Sequence, residues 1–314
     1  MIRIRTPSRL HFGLIAPAAK MGRRFGGVGM MIDQPGVQIR LEPSRNWLVH
    51  GPLAERGQAV LDRLLSTYLG TQTPPHAIRI EHAAPEHMGL GTGTQLALAI
   101  ARGLAEAAGI EDKAASQLAP LVDRGLRSAI GTHGFDRGGF LVDGGKSDSD
   151  DVAPLVSSLS VPEDWRIILI LSPWQPGAHG LAERDAFGQL LEIPGRAEAL
   201  ARQVLLELLP ALSDGDFAAF AESLHQFNRG AGEAFAAVQG GPYASARIAT
   251  LIDHLRERGQ RGVGQSSWGP TVFVVTDDVD RTMRIVARVL EELGLAAASV
   301  VVANANIGGV QVSG

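Results

Sequence analysis

The chain has 314 residues, of which 45% are hydrophobic and 20% charged, and it carries a formal net charge of −4 with no cysteine. This composition is typical of a soluble globular protein with one large or two smaller domains, and it argues against a nucleic-acid-binding surface, disulfides and thiolate metal sites. No apolar run approaches the roughly 20 residues that a membrane span needs, so no membrane association is expected and a cytoplasmic location is the default prediction.

The first half of the chain is predicted to mix strands with helices. Period-two alternation or short apolar runs predict the strands Ile2–Thr6, Val37–Glu42, Ala77–His82 and Phe140–Val142. Apolar residues at helical spacing predict helices over Leu53–Leu69, from Gln95 to Gly109, and over Ala114–Leu126 with an interruption at Pro120. The polar stretch Gly144–Asp151 is expected to form a surface loop.

The second half is predicted to alternate strands with longer helical segments. The predicted strands are Arg166–Leu171, Thr271–Thr276, Ser299–Ala303 and Val310–Val312. The predicted helices are 182–191, 197–210, 214–228, 244–258 and Asp280–Leu293. This order predicts an α+β layer with helices on one face of a sheet. The boundary is placed between Asp150 and Glu163, which divides the chain into an N-terminal domain, 1–158, and a C-terminal domain, 159–314.

A glycine-rich turn leads directly into an apolar helix in the stretch Pro85–Gly109, PEHMGLGTGTQLALAIARGLAEAAG. Alternating glycines let the backbone approach a ligand and adopt positive φ. The first amide groups of the helix lack intrahelical partners, and such a helix start binds phosphate. The predicted phosphate-binding residues are Gly89, Leu90, Gly91, Thr92, Gly93, Thr94 and Gln95. A tight connection without a ligand is the alternative interpretation, because no lysine of a Walker motif closes the turn.

Four other stretches are too polar or too rich in glycine to be core: Ser8–Leu14, Lys20–Gly29, Arg124–Gly139 and Gly262–Pro270. The first places Arg9 and His11 near the end of the first strand. The third concentrates Arg124, Arg127, Ser128, Thr132, His133, Asp136 and Arg137 among glycines, which favours function over packing. The fourth, GVGQSSWGP, suits a second phosphate cradle formed by Gln265, Ser266 and Ser267. The alternatives are a solvated loop at Lys20–Gly29 and a core role for Trp268.

An acidic pair, Asp277 and Asp278, follows an apolar strand and is similar to the ribose-diphosphate loop of type I phosphoribosyltransferases. The glycine and paired threonines of that loop are missing here. Asp280 also suits the N-cap of the following helix, because aspartate is favoured at that position. A helix cap is therefore the preferred interpretation of this acidic segment.

Taken together, these motifs resemble those of the GHMP kinase superfamily, in the same order along the chain. Pro85–Gln95 resembles its central phosphate-binding motif and Gly262–Pro270 its third motif. The strings SRLHFGLI, GLGTGTQLALA, RSAIGTHGFDRGGFLVDGG and GQSSWGP resemble one branch in particular, the β-ribofuranosylaminobenzene 5′-phosphate synthases of tetrahydromethanopterin biosynthesis. The resemblance implies a GHMP-kinase-like two-domain fold, with a ribosomal-protein-like N-terminal domain and a ferredoxin-like C-terminal domain.

The activity that this resemblance implies is that of a pentosyltransferase. Phosphoribosyl diphosphate would be joined to 4-aminobenzoate or 4-hydroxybenzoate, with release of CO₂ and diphosphate, and Mg²⁺ would assist the departing diphosphate. Arg9 and His11 are expected to face the aromatic acid, since an arginine fork matches a carboxylate. Asp136 lies where superfamily kinases carry a base, and it is expected to contact the metal or the cationic ribose.

The remaining implied roles are less specific. His133 is a further catalytic candidate, Arg24, Arg137 and Trp268 are substrate-binding candidates, and Lys146 is a possible anion contact. Asp136 and Thr94 are the metal-ligand candidates, and the acids Asp143, Asp148, Asp150 and Asp151 compete with Asp136 for that role. The expected partners are small-molecule substrates and a second copy of the chain in a homodimer. A GHMP-type ATP-dependent small-molecule kinase and a non-catalytic sugar-phosphate-binding protein are the alternative functions.

Overall fold

Two β-sheets organise the protein, whose structure is a computed structural model that describes residues 1–69, 73–110, 113–171, 185–190 and 192–314. The strands are β1 Ile2–Ala16, β2 Phe25–Pro43, β3 Leu48–His50, β4 His76–His82, β5 Phe140–Asp143, β6 Leu155–Leu159, β7 Arg166–Leu171, β8 Gly262–Gln265, β9 Thr271–Thr276, β10 Ser299–Asn304 and β11 Gln311–Ser313. The larger sheet contains β1 to β6 and β11, and the smaller sheet has the order β10-β7-β9-β8.

The α-helices lie between these strands. They are α1 Ala54–Thr67, α2 Thr92–Ala107, α3 Ala115–Leu118, α4 Ile130–Arg137, α5 Arg196–Gln203, α6 Leu209–Asp214, α7 Phe217–Gly232, α8 Ala236–Gln239, α9 Ala246–Glu257 and α10 Val279–Glu292. A π-helical segment, Val204–Leu208, joins α5 to α6, and 3₁₀ turns occupy Pro120–Val122 and Glu233–Phe235. No helix among the described residues is long and apolar enough to cross a membrane.

The larger sheet is built on the long antiparallel pair β1 and β2, which runs from Ile2 opposite Leu41 to Ala16 opposite Phe25. One end of β2 pairs with β4 and the other with β5, so the sheet divides around this hairpin. The apolar face of α2 packs on the sheet, where Leu96, Ile100 and Leu104 are fully buried. This packing fixes the start of α2 against the middle of β1.

The smaller sheet has the strand order and the β-α-β-β-α-β sequence of a ferredoxin-like fold. Ile168 and Val274 on one face pack against α9 and α10. Ile167 and Phe273 on the other face share a core with α7 and the larger sheet, so both faces of the smaller sheet are covered. The predicted α+β class and ferredoxin-like half are thus confirmed, although the helices do not cover one face only.

Several sequence-predicted boundaries are wrong in informative ways. The first strand continues to Ala16, so Ser8–Leu14 lies within β1 and not at its end. The predicted helix Ala114–Leu126 breaks into α3 and a 3₁₀ turn. Asp278 caps α10 by accepting a hydrogen bond from Arg281 N at 3.0 Å, in place of Asp280. The predicted helix 182–191 lies partly outside the described residues.

The predicted division after residue 158 stays a prediction, but the chain does not separate simply there. Leu159 is the last residue of β6, which pairs with β5 in the larger sheet. The C-terminal strand β11 also returns to the larger sheet and pairs with Arg3–Arg5 of β1. The second half of the sequence therefore supplies an edge strand to the first sheet.

Candidate active site

A cavity of about 280 Å³ opens where β1, the segment 123–128, α7 and the loop before β9 meet. Five of the sequence-predicted site residues line it: Arg9, His11, Gln265, Ser267 and Trp268. A concave site with a few convergent polar groups between the two halves of a fold is a typical ligand site. The cavity is therefore the candidate active site.

Arg9 and His11 lie two residues apart on β1 and so share a face of the strand. The amide of Arg9 donates to Leu90 O at 2.9 Å, which ties β1 to the glycine turn. A Cβ placed on Gly91 would lie 3.2 Å from Arg9 Nε, so the guanidinium covers this turn. Burial, together with the positive charge of Arg9, holds the pKa of His11 well below its usual value. The imidazole is therefore neutral near pH 7.

Arg56 lies over the start of α2, and Arg124 lies close enough to Arg56 to be affected by its charge. A Cβ placed on Gly93 would lie 2.6 Å from Arg56 Nη2, so this side chain covers the first turn of α2. Arg56 forms an ion pair with Glu86. Burial, followed by the charge of Arg56, lowers the pKa of Arg124, a residue of the cavity wall. Like charges beside the positive end of a helix repel one another, and a bound anion relieves that repulsion.

The glycine turn itself is partly as predicted. Gly91 has φ 71° and α2 begins at Thr92, two residues before Thr94. Gln95 is fully buried and its Nε2 donates to Gly131 O at 2.8 Å, and Thr92 is also buried. The side chains of Thr92 and Gln95 are thus packed inside the protein, and their predicted phosphate-binding role stays a prediction. No residue of 89–95 is among the described residues lining the cavity, because arginine side chains cover the turn.

The segment Gly262–Pro270, which contains β8 and the loop after it, connects β1 to the glycine turn. Ser266 is fully buried, and its hydroxyl donates to Gly89 O at 2.7 Å and accepts from His11 N at 3.0 Å. The side chain of Gln265 donates to Ser267 O and accepts from Ala244 N, both at 2.8 Å. The hydroxyl of Ser266 thus links β1 to the glycine turn, and its predicted phosphate-binding role stays a prediction. Gln265 and Ser267 remain in the cavity wall.

Three aromatic rings and one arginine form another wall of the cavity. The ring centroids of Trp268 and Phe235 are 4.8 Å apart, and those of Phe187 and Phe235 are 5.3 Å apart, both in edge-to-face packing. The guanidinium carbon of Arg127 lies 4.1 Å from the centroid of Phe187. The predicted substrate-binding residue Trp268 thus lies in the cavity beside an arginine.

A buried carboxylate supports the segment that carries Arg124 and Arg127. Asp143 accepts hydrogen bonds from Ser128 Oγ at 3.0 Å, Ala129 N at 2.8 Å and Gly145 N at 3.0 Å. Burial raises the pKa of Asp143. Because Ser128 also lines the cavity, this carboxylate positions the wall and does not itself belong to it.

Besides the stretch 89–95 and Ser266, four further predicted site residues lie outside the cavity lining. Asp136 accepts hydrogen bonds from Arg102 Nη2 at 3.0 Å and from Ala115 N at 2.6 Å, so it connects α4 to α2 and α3. His133 Nε2 lies 2.8 Å from Ala153 O. Arg24 pairs with Asp148 at the surface, and Arg137 is exposed. The weaker candidate Lys146 pairs with the backbone of Arg24 instead of lining the cavity. The hydrogen bonds of Asp136 join helices of the fold, and its predicted metal or ribose contact stays a prediction.

Sequence reasoning also missed three residues of the cavity wall, Arg124, Arg127 and Phe235, and it missed Arg56, which covers the first turn of α2. Arg124 and Arg127 were recognised only as parts of a polar stretch. Phe235 lies beyond the predicted helix 214–228, and Arg56 resembles an ordinary solvent-facing residue of an amphipathic helix. Their positions depend on packing between distant segments, which a single sequence does not reveal.

Comparison with known proteins places this geometry in a family. The descriptions of the GHMP kinases N terminal domain and the GHMP kinases C terminal domain match residues 56–144 and 208–298. A protein of Methanothermobacter thermautotrophicus named beta-ribofuranosylphenol 5′-phosphate synthase is 34% identical over 297 residues, covering 88% of each chain. The chain belongs to the beta-ribofuranosylphenol 5′-phosphate synthase family. The resemblance inferred from the four sequence motifs is thus confirmed.

Other members and structural neighbours agree with this family placement. A beta-ribofuranosylphenol 5′-phosphate synthase of Archaeoglobus fulgidus is 28% identical over 307 residues, covering 90% of this chain and 92% of that protein. The crystal structure of homoserine kinase from Cytophaga hutchinsonii has a TM-score of 0.66 at 17% identity, covering 99% of this chain and 97% of the kinase chain. The second likeness shows the shared GHMP kinase fold alone.

Proposed function

We propose that the protein is a decarboxylating phosphoribosyltransferase, which joins phosphoribosyl diphosphate to an aromatic carboxylic acid and releases CO₂ and diphosphate. The relatives are named for a ribofuranosylphenol 5′-phosphate product, which favours 4-hydroxybenzoate over 4-aminobenzoate as the acceptor. The observation that carries the proposal is that Arg9 and Arg124 line one cavity together with an aromatic wall, while Arg56 covers the first turn of α2 and acts on Arg124 through its charge. The cavity therefore offers cationic side chains to a polyanion and aromatic side chains to a planar ring.

The proposed reaction uses these cations where charge develops. As the bond between ribose C1 and the diphosphate oxygen breaks, its electron pair leaves with the diphosphate, and the ring carbon bearing the carboxylate forms a bond to C1. The carbon–carboxyl bond then breaks, its electron pair restores the aromatic ring, and CO₂ leaves. Fixed cations stabilise the departing diphosphate, and aromatic faces favour the positively charged ribose and ring. The overall reaction, in which ribose replaces the carboxylate on the ring, requires no net proton transfer.

Mg²⁺ remains part of the proposal as a companion of the diphosphate. Protein-bound Mg²⁺ commonly uses one or two carboxylates together with substrate phosphates and water. Each carboxylate oxygen of Asp136 accepts one hydrogen bond from the protein, which leaves a lone pair on each, so Asp136 stays a proposed ligand. The described residues contain no cluster of three His, Asp or Glu side chains suited to a metal. Thr94, in the first turn of α2, is the second candidate beside Asp136, and bound Mg²⁺ would supply charge neutralisation.

His11 remains the proposed contact to the aromatic acid, as a neutral imidazole that can accept a hydrogen bond from the para hydroxyl. A homodimer, a cytoplasmic location and a role in tetrahydromethanopterin biosynthesis also remain proposals. Light scattering of the purified protein tests the dimer directly, with a mass near twice that of the 33.2 kDa chain as the expected result.

The function is tested by incubating the protein with carboxyl-labelled 4-hydroxybenzoate, with and without phosphoribosyl diphosphate and Mg²⁺, while trapping released CO₂. We expect label in the gas phase only when phosphoribosyl diphosphate is present. 4-Aminobenzoate, run in parallel, measures the choice of acceptor. Phosphate transfer from ATP to an alcohol without CO₂ release would instead identify a kinase. Binding of phosphoribosyl diphosphate without any product would identify a non-catalytic binding protein.

A further inference from the structure

The strand β1 carries an extra residue where it passes the cavity. Between His11 and Gly13 the pairing advances two residues along β1 but only one residue along β2. Phe12 is therefore a β-bulge, and a bulge turns neighbouring side chains in a new direction. Because His11 lines the cavity directly before this bulge, the direction of its imidazole depends on where the bulge lies.

Asn228 of α7 contacts this bulge from the second half of the chain. The residue is 6% exposed, and it lines the cavity. Its Nδ2 donates to Phe12 O at 2.7 Å and to Gln265 O at 2.8 Å, and its Oδ1 accepts from Gln265 N at 2.9 Å. Both N–H donors of the amide are thus used. The side chain therefore joins β1 of the larger sheet to β8 of the smaller sheet.

The two bonds between Asn228 and Gln265 replace those of a neighbouring strand. β8 is the last strand in the order β10-β7-β9-β8, so among the described strands it is an edge of that sheet. The N–H and the C=O of Gln265 both bond to the Asn228 amide, as facing residues do in an antiparallel ladder. Buried backbone groups need such partners, because leaving them unpaired costs free energy. A side chain with one donor or none cannot supply all three bonds.

Two glycines of the sequence motifs leave room for this contact. A Cβ on Gly264 would lie 2.3 Å from Asn228 Oδ1. A Cβ on Gly13 would lie 2.3 Å from the Cβ of Ala231, which follows Asn228 by about one turn on α7. Both distances are too short for a side chain to fit without displacing α7. Gly13 of SRLHFGLI and Gly264 of GVGQSSWGP thus allow the same helix to approach the bulge.

The backbone of His11 is held by the loop that follows β8. Its N–H donates to Ser266 Oγ at 3.0 Å, and its C=O accepts from Ser267 N at 2.9 Å. Asn228 binds the C=O of the next residue, Phe12. The bulge is therefore fixed by contacts from the second half of the chain as well as by its pairing with β2.

We propose that Asn228 is a positioning residue, which holds the bulge at Phe12 and so keeps the imidazole of His11 directed into the cavity. This assignment rests on the proposed function, in which His11 contacts the aromatic acid. Without the amide, the bulge is free to shift along β1, and a shift of one residue turns a side chain to the opposite face of a strand. His11 would then leave the cavity while the fold persists.

The test asks whether Asn228 acts through His11. Steady-state assays measure kcat/KM for 4-hydroxybenzoate in the wild type, Asn228→Ala, His11→Gln and the double variant. We expect Asn228→Ala to lower kcat/KM by about 10- to 100-fold, because a misplacement of about 1 Å can cost a factor of that size. In the His11→Gln background the same change should cost less than about threefold, because the imidazole that Asn228 positions is already absent. Additive losses would overturn the assignment.

Two further variants separate positioning from a general loss of stability. Asn228→Ser can keep one of the three hydrogen bonds, so its loss of kcat/KM should be smaller, and it takes the place of Asn228→Ala if that variant does not fold. Gln203→Ala is the matched control, because it removes another amide that donates to α7, to Ser223 O at 3.1 Å, away from the cavity lining. Its kcat/KM should stay within about threefold of wild type. A loss equal to that of Asn228→Ala would overturn the assignment.

A measurement that needs no turnover distinguishes this inference from the proposed function. Nuclear magnetic resonance follows the ring signal of His11, which is identified by its disappearance in His11→Gln. Burial and the charge of Arg9 hold the pKa of His11 below its usual value, so in Asn228→Ala this pKa should rise toward about 6.5 as the ring leaves its place.

An unchanged His11 pKa in a folded Asn228→Ala refutes the positioning role, whether or not the wild type releases CO₂. A wild type that releases no CO₂ refutes the proposed function, and the shift of the His11 pKa then still decides whether Asn228 holds the ring.

Discussion

Asp136 illustrates at the level of one residue how a functional-looking acid can be structural. Its carboxylate joins Arg102 of α2 to the first turn of α3, and the Arg102 side chain is only 8% exposed. Arg102 also donates to Lys113 O at 2.8 Å. Removing the carboxylate partner of a mostly buried guanidinium takes away an ion pair in a poorly solvated environment, which is costly.

We therefore expect Asp136→Asn to lower the free energy of unfolding by about 1–3 kcal/mol, a range reduced because the carboxylate is partly exposed. Turnover measured well below the unfolding temperature should stay within about threefold of wild type. Urea unfolding and steady-state kinetics provide the two measurements. A variant of unchanged stability whose kcat falls by orders of magnitude would restore the catalytic role that the sequence suggested.

The buried histidines give the protein a predictable response to acid. Burial lowers the pKa of both His11 and His225 in the folded state. The unfolded chain protonates its histidines near pH 6.5, so below that pH the unfolded state binds more protons than the folded state. The free energy of unfolding should consequently fall as the pH drops from about 6.5 toward the lowered pKa values.

Each such histidine contributes a slope of up to about 1.4 kcal/mol per pH unit within this window. His11→Gln should make the acid-side decline shallower, because only His225 then remains of the pair. The measurement is urea unfolding of both proteins between pH 8 and pH 5. Parallel curves for the wild type and the variant would show that His11 does not titrate as its burial implies.

At the level of elements, the spacing of apolar residues predicted helices and strands correctly where one face of the element packs against the core. The strands β4, β7 and β9 and the helices α1 and α10 were predicted within one or two residues of their bounds. Periodicity failed along β1 because Arg9 and His11 face a cavity, so polar residues occupy inward positions. It failed at α4 because close packing requires glycine there: a Cβ on Gly134 would lie 2.3 Å from Met31 Sδ.

Replacing Gly89 or Gly93 by alanine should have opposite effects on the stability of the protein. Gly89 has φ +85°, and a Cβ there would lie 2.2 Å from Ser266 O, a backbone atom that cannot move aside cheaply. Gly89→Ala should thus cost about 2–4 kcal/mol of unfolding free energy. Gly93→Ala meets only the flexible end of Arg56, and alanine is favoured over glycine in a helix by about 0.5–1 kcal/mol.

Gly93→Ala should therefore retain or slightly increase stability while displacing Arg56 from the start of α2. We expect KM for phosphoribosyl diphosphate to rise several-fold and KM for the aromatic acid to change little. Thermal unfolding and steady-state kinetics on both alanine variants check the contrast. An unchanged KM for phosphoribosyl diphosphate in Gly93→Ala would show that Arg56 does not contribute to binding of that substrate.

For the molecule as a whole, the two sheets share one continuous core. The ring of Phe12 in the larger sheet lies 5.0 Å from that of Phe273 in the smaller sheet and 5.8 Å from that of Phe140. The C-terminal segment adds backbone contacts, because Asn306 N donates to Met31 O at 2.9 Å before β11 pairs with β1. The cavity lies between these coupled halves, so its geometry depends on both.

Phe273→Ala tests this coupling directly. Removing the ring should cost about 3–5 kcal/mol. If the halves unfold as one unit, the substitution should reduce the protection of amide hydrogens against exchange equally in both helices. These helices are α2, on the larger sheet, and α10, on the smaller sheet. Mass spectrometry of amide exchange in native conditions measures both helices in one sample. Loss of protection in α10 alone would mean that the halves are independent folding units, which would support a division after residue 158. The cavity would then form only when the two halves dock.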